Sequence, residues 1–475
     1  VNNWFPGILR NLLFLEFVCC SGEQIMPKAN LISRIFTLTM TALLALTACS
    51  EPATQPVQNT PQSPTQPPAP KPAEAKYIQS NLTRVLSPAV PAGDQLQLAS
   101  DNLAFAMDLY QQLASQPGNL FYSPYSISQA MAMLYGGARG QTEQQIAQGM
   151  HFGLPQDRLH PAFNVLDQEL STRTEVAKNQ GQGFQLNIAN STWGQSGFPF
   201  LSSYLDLLAL NYGAGLQTVD FATNPEGARQ DINNWVANQT QDKIKDIVPQ
   251  GAIDTLTRLV LANAIYFKAS WRIPFQKSAT QDAPFTTMDG SQVTVPMMSL
   301  DQNNLSYQKG NGYQAVVLPY VDGNVAMLLL VPDAGEFSQF EASLDVSTLQ
   351  SILAGLQGTE VVLKMPRFTV ESSFSLGNTL AKMGMPDAFD ASQADFSGMD
   401  GQRDLYVSSV IHKAYAAVDE TGTEAAAATV AIVGLTAIMP GGPVSLTIDR
   451  PFIFVIYDQP TQSILFVGRI TNPGE

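Results

Sequence analysis

Apolar residues recur along this chain in two rhythms, and the rhythm changes from segment to segment. Leu103, Met107, Tyr110 and Leu113 fall at helical spacing and predict an amphipathic helix. Ile232, Trp235 and Val236 give a second helix its apolar face, opened by Asn224 as N-cap and Pro225 in the first turn. A third closes at Gly136-Gly137, and Thr142 with Gln145 reads as a capping box that opens the next. Elsewhere the pattern is that of strands. Residues 184–193 and 410–420 predict two, and 258–271 is apolar almost throughout, as a strand buried on both faces would be. Residues 450–457 and 464–473 predict an apolar strand pair near the end of the chain.

One stretch fits neither rhythm. From Glu420 the chain reads Thr421, Gly422, Thr423, Glu424, four alanines (Ala425, Ala426, Ala427, Ala428) and Thr429. Taken alone, the alanine run is a turn of ordinary helix, since Ala is the best helix former. The residues just beyond it, Val430, Ile432 and Val433, are strand composition. As a strand, the segment places Thr423, Ala425, Ala427 and Thr429 on one face, because side chains alternate with period two. All four are small and uncharged, and Glu424 falls on the opposite face. Such a segment is compatible with an exposed loop and with a closely packed sheet, since nothing on that face would be buried unpaired.

Hydrophobic residues make up 45% of the 475 and charged residues 14%, which is globular rather than disordered. The formal charge of −15 argues against a nucleic-acid partner. No cysteine lies between residues 50 and 475, so a disulfide framework is excluded there. Enzymatic signatures are missing as well: the sequence has three histidines (His151, His160, His412), no nucleophile elbow, no His-Glu-x-x-His, no phosphate-binding loop and no dinucleotide fingerprint. With sparse His and no domain cysteine, a metal site has almost nothing to use, and no cofactor is expected.

The N-terminal part divides by composition. Residues 1–25 read as a start-site artefact. From Met26, a basic start at Lys28 and Arg34 leads to an apolar run and ends on Leu46-Thr47-Ala48-Cys49, which describes an export signal over 26–48. That ending resembles the lipobox of bacterial lipoproteins, which implies lipidation of Cys49. The expected location is therefore the cell envelope, lipid-anchored on the periplasmic or the cell-surface side. Residues 49–93 are expected to be linker, proline-rich and extended over 51–76, with a folded domain over 94–475.

The ordered set of His412-Lys413-Ala414 within the 410–420 strand, the run Val418 to Thr429, the block Arg450-Pro451-Phe452-Ile453-Phe454 and the terminal Phe466-Val467-Gly468-Arg469-Ile470-Thr471-Asn472-Pro473 resembles the reactive-loop region of the serpins. Matching motifs extend back to about Asn119. The resemblance implies an α+β fold of about nine helices around three β-sheets with an exposed reactive-centre loop. It implies a non-enzyme that inhibits a serine protease as a suicide substrate, through a covalent acyl complex and insertion of the freed loop into the central sheet. Glu420, Gly422, Thr423, Glu424 and Ala425 to Ala428 match the hinge. Ser123 and Ser126, in a Ser-Pro-x-Ser turn, match the region beneath the sheet where strands part. Asn263 and His412 match a buried pair, and Trp271 the top of the sheet. The helix after Asn224 would lie across the front of that sheet. Family spacing from Glu420 gives Thr436-Ala437 as the reactive bond, with Leu435 the neighbouring alternative, because the loop is longer than in common members. Thr436 suits a small elastase-type pocket, Leu435 a chymotrypsin- or subtilisin-type one. A monomer is expected, with loop–sheet polymers open to it. A non-inhibitory serpin acting as a binding or carrier module is the alternative. Such relatives tend to carry bulky, charged or proline residues at the hinge, and this hinge carries none.

Overall fold

The computed structural model describes residues 75–179, 183–321, 323–423 and 442–475. Helix α1 (Ala92–Leu113) buries Leu103, Met107, Tyr110 and Leu113, as its spacing predicts. Helix α2 (Pro124–Tyr135) has all its residues buried. Its N-cap is Ser123, whose side chain accepts from the Ser126 amide, and Pro124 takes the first-turn position where its missing N–H costs nothing. Helix α3 (Gly140–Gly149) corrects one expectation. Thr142 and Gln145 lie inside it and cap nothing at its start. Thr142 Oγ1 instead accepts from the Asp395 amide and Gln145 Oε1 from the Asp387 amide, so these polar side chains tie the helix to a distant loop. Helices α4 (Gln156–Asn179), α5 (Ser202–Tyr212) and α6 (Pro225–Gln239) come next. Asn224 caps α6 by accepting from the Gly227 amide.

Two sheets organise the rest. The first has seven strands in the order β1 (Lys76–Ile78), β4 (Leu216–Val219), β3 (Phe184–Gln195), β5 (Leu259–Ser270), β13 (Gly422–Thr423), β12 (Val407–Val418) and β11 (Phe368–Ser375). The second runs β14 (Val444–Thr447), β10 (Gln357–Pro366), β7 (Gln292–Lys309), β8 (Tyr313–Pro319), β9 (Val325–Pro332), β15 (Phe452–Asp458), β16 (Ser463–Ile470) and β2 (Leu120–Tyr122), with β6 (Gln281–Thr286) paired to β7. Where the serpin resemblance implies three sheets, two of them are joined here, because β7 is 18 residues long and hydrogen-bonds in both.

The main core lies between the two sheets and under α1 and α2, where Phe121 stacks on Phe466 at 5.0 Å. A second, smaller core lies on the other face of the seven-stranded sheet. There Ile232 and Val236 of α6 pack on Val260, Ala262 and Ala264 of β5. Helix α6 therefore covers the front of the sheet. Within that sheet β5 and β12 are parallel, paired from Leu259/Val407 to Tyr266/Tyr415. Composition assigns residues 49–93 to linker, yet 75–91 lie against the domain, with β1 paired to β4. A contact made so far along the sequence leaves no trace in local composition.

Candidate functional site

The site is the seam between β5 and β12. Below it, α2 meets the sheet through a buried polar network. The Ser123 amide donates to His412 Nε2 at 3.2 Å, which leaves Nδ1 as the protonated ring nitrogen, donating to Asn263 Oδ1. Asn263 Nδ2 donates in turn to Ser126 Oγ at 2.6 Å and to Asn190 Oδ1. Ser126 Oγ donates to Asn190 Oδ1 at 3.0 Å, and Asn190 Nδ2 reaches Gln129 Oε1 at 2.9 Å. Four elements, α2, β3, β5 and β12, thus meet on one set of side chains. His412 is fully buried, and burial depresses its pKa to about 3, so the ring is neutral. The sequence brings Ser126, Asn263 and His412 to attention, but not Asn190, the fourth member. Its strand is legible in the sequence; that the strand's register sets Asn190 against Ser126 and Gln129 of α2 is not.

At the head of the seam the chain reverses. The Asp419 carboxylate accepts from the amides of Thr421 at 2.7 Å and Gly422 at 3.2 Å, the local turn chemistry expected of Asp. Trp271, the residue after β5, holds this turn: its indole N–H donates to the Asp419 carbonyl and its amide to the Thr421 carbonyl, both at 2.9 Å. The Glu420 side chain, 1% exposed, is paired with Arg367 and accepts from Thr280 Oγ1 at 2.7 Å. Burial alone would raise its pKa. The Thr280 hydroxyl and the Arg367 guanidinium outweigh that and hold it below the usual glutamate value.

After the turn, Gly422 and Thr423 run back down between β5 and β12, antiparallel to both. Gly422 pairs with Ser270 and Thr423 with Ala269. The backbones approach so closely that a Cβ at 422 would lie 2.0 Å from the Ala269 carbonyl oxygen, which is why glycine stands there. Thr423 is fully buried, its hydroxyl 2.8 Å from that of Tyr320. Tyr320 is itself stacked on Trp271 at 4.6 Å. Tyr320, Arg367 and Thr280 are not legible in the sequence, since each reaches the site from a remote strand end or loop. Of the sequence-predicted hinge, Glu420, Gly422 and Thr423 meet here. Glu424, Ala425, Ala426, Ala427 and Ala428 lie outside the described residues, as do Leu435, Thr436, Ala437 and Cys49.

The fold and this seam define a class: a protein in which the chain leaving β12 turns back and enters the central sheet, here by two residues, between β12 and β5. The sequence profile of the serpin (serine protease inhibitor) family matches residues 100–473. Leukocyte elastase inhibitor A of Mus musculus is 38% identical over 398 residues, covering 79% of this chain and all of the relative. Leukocyte elastase inhibitor of Homo sapiens is also 38% identical, over 395 residues, with the same coverage. Among solved structures, human thyroxine-binding globulin in its thyroxine complex superposes with a TM-score of 0.71 at 31% identity, covering 80% of this chain and all of that one. Uncleaved ovalbumin gives 0.70 at 26% identity, covering 79% of this chain and all of that one. The chain belongs to the serpin family.

Proposed function

We propose that this chain inhibits elastase-like serine proteases as a suicide substrate, and that it does so tethered to a cell envelope. One observation carries the mechanism: β13 has begun, with two residues, the strand that insertion would complete. Continuing its register places Ala425 opposite Phe267, Ala427 opposite Ile265 and Thr429 opposite Asn263. On the β12 side the same step puts Thr429 opposite His412, so its hydroxyl would come to lie where those two side chains now meet. Small, uncharged residues on that face enter without a clash or an unpaired charge.

In this reading the protease serine attacks the Thr436 carbonyl, an ester forms, and the Ala437 amine leaves. The freed segment then zips down the seam as a strand hydrogen-bonded on both edges; serpin loop insertion is itself among the recognised instances of strand addition. Helix α6 and the Ser126–Asn190–Asn263–His412 network have to give way as β5 and β12 part. Thr436 suits a small pocket, in keeping with the names of the elastase-inhibitor relatives. Leu435 is the alternative reactive residue, for a chymotrypsin-type target. Thyroxine-binding globulin, by its name, binds thyroxine; the small residues of the hinge favour inhibition here over a binding module. Export with lipidation at Cys49 rests on the leader sequence. The test is to mix the protein with pancreatic elastase or chymotrypsin and weigh the released C-terminal fragment. A detergent-resistant complex with a fragment beginning at Ala437 supports the proposal. Cleavage without a complex overturns inhibition of those proteases, and a fragment beginning at Thr436 moves the bond to Leu435.

A further inference from the structure

Residues 75–91 precede the part of the chain that the family profile matches, and they are bound to the domain at two separate places. At one end β1 adds an antiparallel strand to the edge of the seven-stranded sheet, Lys76 opposite Thr218 and Ile78 opposite Leu216. Thr218 Oγ1 also donates to the Lys76 carbonyl at 3.1 Å. Further on, the segment crosses α5 and α4. The Val85 amide donates to the Leu210 carbonyl at 2.9 Å, and Ser80 Oγ donates to Asp206. Arg84 pairs with Asp167 at 2.7 Å and donates through Nε to Asn164 Oδ1 at 2.7 Å. It then enters α1, which packs on α2, α4 and β16.

The domain is shaped to receive this arm. Asn164 is fully buried, and its Nδ2 donates to the Val85 carbonyl at 2.8 Å; without the arm that nitrogen would keep a 3.3 Å bond to the Leu210 carbonyl, while Oδ1 keeps Gln168 Nε2 at 2.7 Å. A Cβ on Gly215 would lie 2.4 Å from the Ile78 carbonyl oxygen, so the glycine before β4 leaves room for it. The arm's own apolar side chains stay largely outside: Leu86 is 76% exposed and Leu82 49%. Polar bonds, not burial, hold it down.

We infer that the arm is a tie across the moving half of the sheet, one that sets how readily the seam opens. Parting β5 from β12 carries β3, β4 and β1 as a block past α2, since these strands are hydrogen-bonded in series. The arm is bonded to that block at β4 and to the helical body at α4, α5 and α1, α5 being packed on α4. Opening therefore stretches it or strips one of its attachments. This rests on the reading of the seam as the place of strand insertion.

The test avoids the protease. A synthetic peptide with the sequence of residues 422–435 is incubated with the full chain and with the variants Arg84→Ala and Val85→Pro, the second removing the amide that Leu210 accepts. Annealing is read as the appearance of a species with raised Tm, after circular dichroism has shown each variant folded. Arg84→Ala is expected to anneal about tenfold faster, the loss of a charge-assisted hydrogen bond being worth about that factor, and Val85→Pro about fivefold faster for the loss of one neutral hydrogen bond, with Arg84→Lys between Arg84→Ala and the parent. Salt at high concentration should speed the parent towards the variants, as screening weakens the Arg84–Asp167 pair. Equal or slower annealing in variants shown to be folded overturns the tie while leaving the seam intact. No annealing in any form overturns the seam itself, and the tie with it.

Discussion

Replacing Thr423 by Arg tests the seam most directly. Thr423 is fully buried between β5 and β12, and its only described side-chain partner is the Tyr320 hydroxyl. The Tyr320 hydroxyl offers an arginine no charge to pair with, so the resting chain is expected to withdraw residue 423 from the seam, and insertion then has to bury an unpaired cation. Such a burial costs several kcal/mol even after the surroundings relax. With about 4 kcal/mol placed on the insertion step, and each 1.4 kcal/mol worth a factor of ten, insertion slows about a thousandfold. Hydrolysis of the acyl-enzyme then wins, and the inhibitor is consumed as substrate. The assay is the number of inhibitor molecules cleaved per protease inactivated, with complexes counted on denaturing gels. Thr423→Val is the control. It keeps the shape and leaves the Tyr320 hydroxyl without its partner, a loss of about 1–3 kcal/mol, so complexes persist in reduced yield. A Thr423→Arg protein giving the same complex yield as the parent would refute the argument.

Three other outcomes are expected from the same geometry. Glu420→Lys sets two cations against each other at Arg367 and removes the acceptor of Thr280, so the head of the seam should loosen; native gels after mild heating should show polymers at lower temperature than the parent. His412 is neutral when folded, with a pKa of about 3 against 6.5 unfolded, so stability is complete above pH 6.5 and falls as pH drops from 6.5 towards 3. The loss is about 2 kcal/mol by pH 5; His160, depressed by burial to about 4, adds to it, and a Tm flat between pH 7 and 5 would contradict the assignment. Thr429→Val should leave the resting protein's Tm unchanged but lower that of the loop-cleaved form, because only insertion brings position 429 to Asn263 and His412.

Where the sequence is informative, the reason is that a single element carries its own signal. Strand β5 is readable because it is apolar throughout, and α2 because Ser123 and Pro124 are a local N-terminal signal. Gly422 stands out in the hinge motif, although its physical reason, contact with the Ala269 carbonyl, belongs to another strand. The illegible parts are all long-range. Asn190 joins Asn263 only because β3 and β5 pair in one register. Arg367 and Thr280 meet Glu420 across the head of the sheet. The Thr142–Gln145 spacing imitates a cap because both residues are needed as acceptors for a remote loop. The arm reads as linker because polar bonds, which leave no hydrophobic periodicity, attach it.

The direction of β13 relative to its neighbours also bears on how this chain must fold. Along their lower halves β5 and β12 are bonded in parallel, a pairing slightly weaker per residue than the antiparallel kind. A strand continuing β13 would exchange that one parallel ladder for two antiparallel ones. The arrangement seen here is therefore not the best-bonded one this sheet can reach, and on the proposed mechanism a barrier to insertion has to hold it. Folding has to halt two residues into the exchange. Mutations that help the chain fold further would, on this account, make it a worse machine.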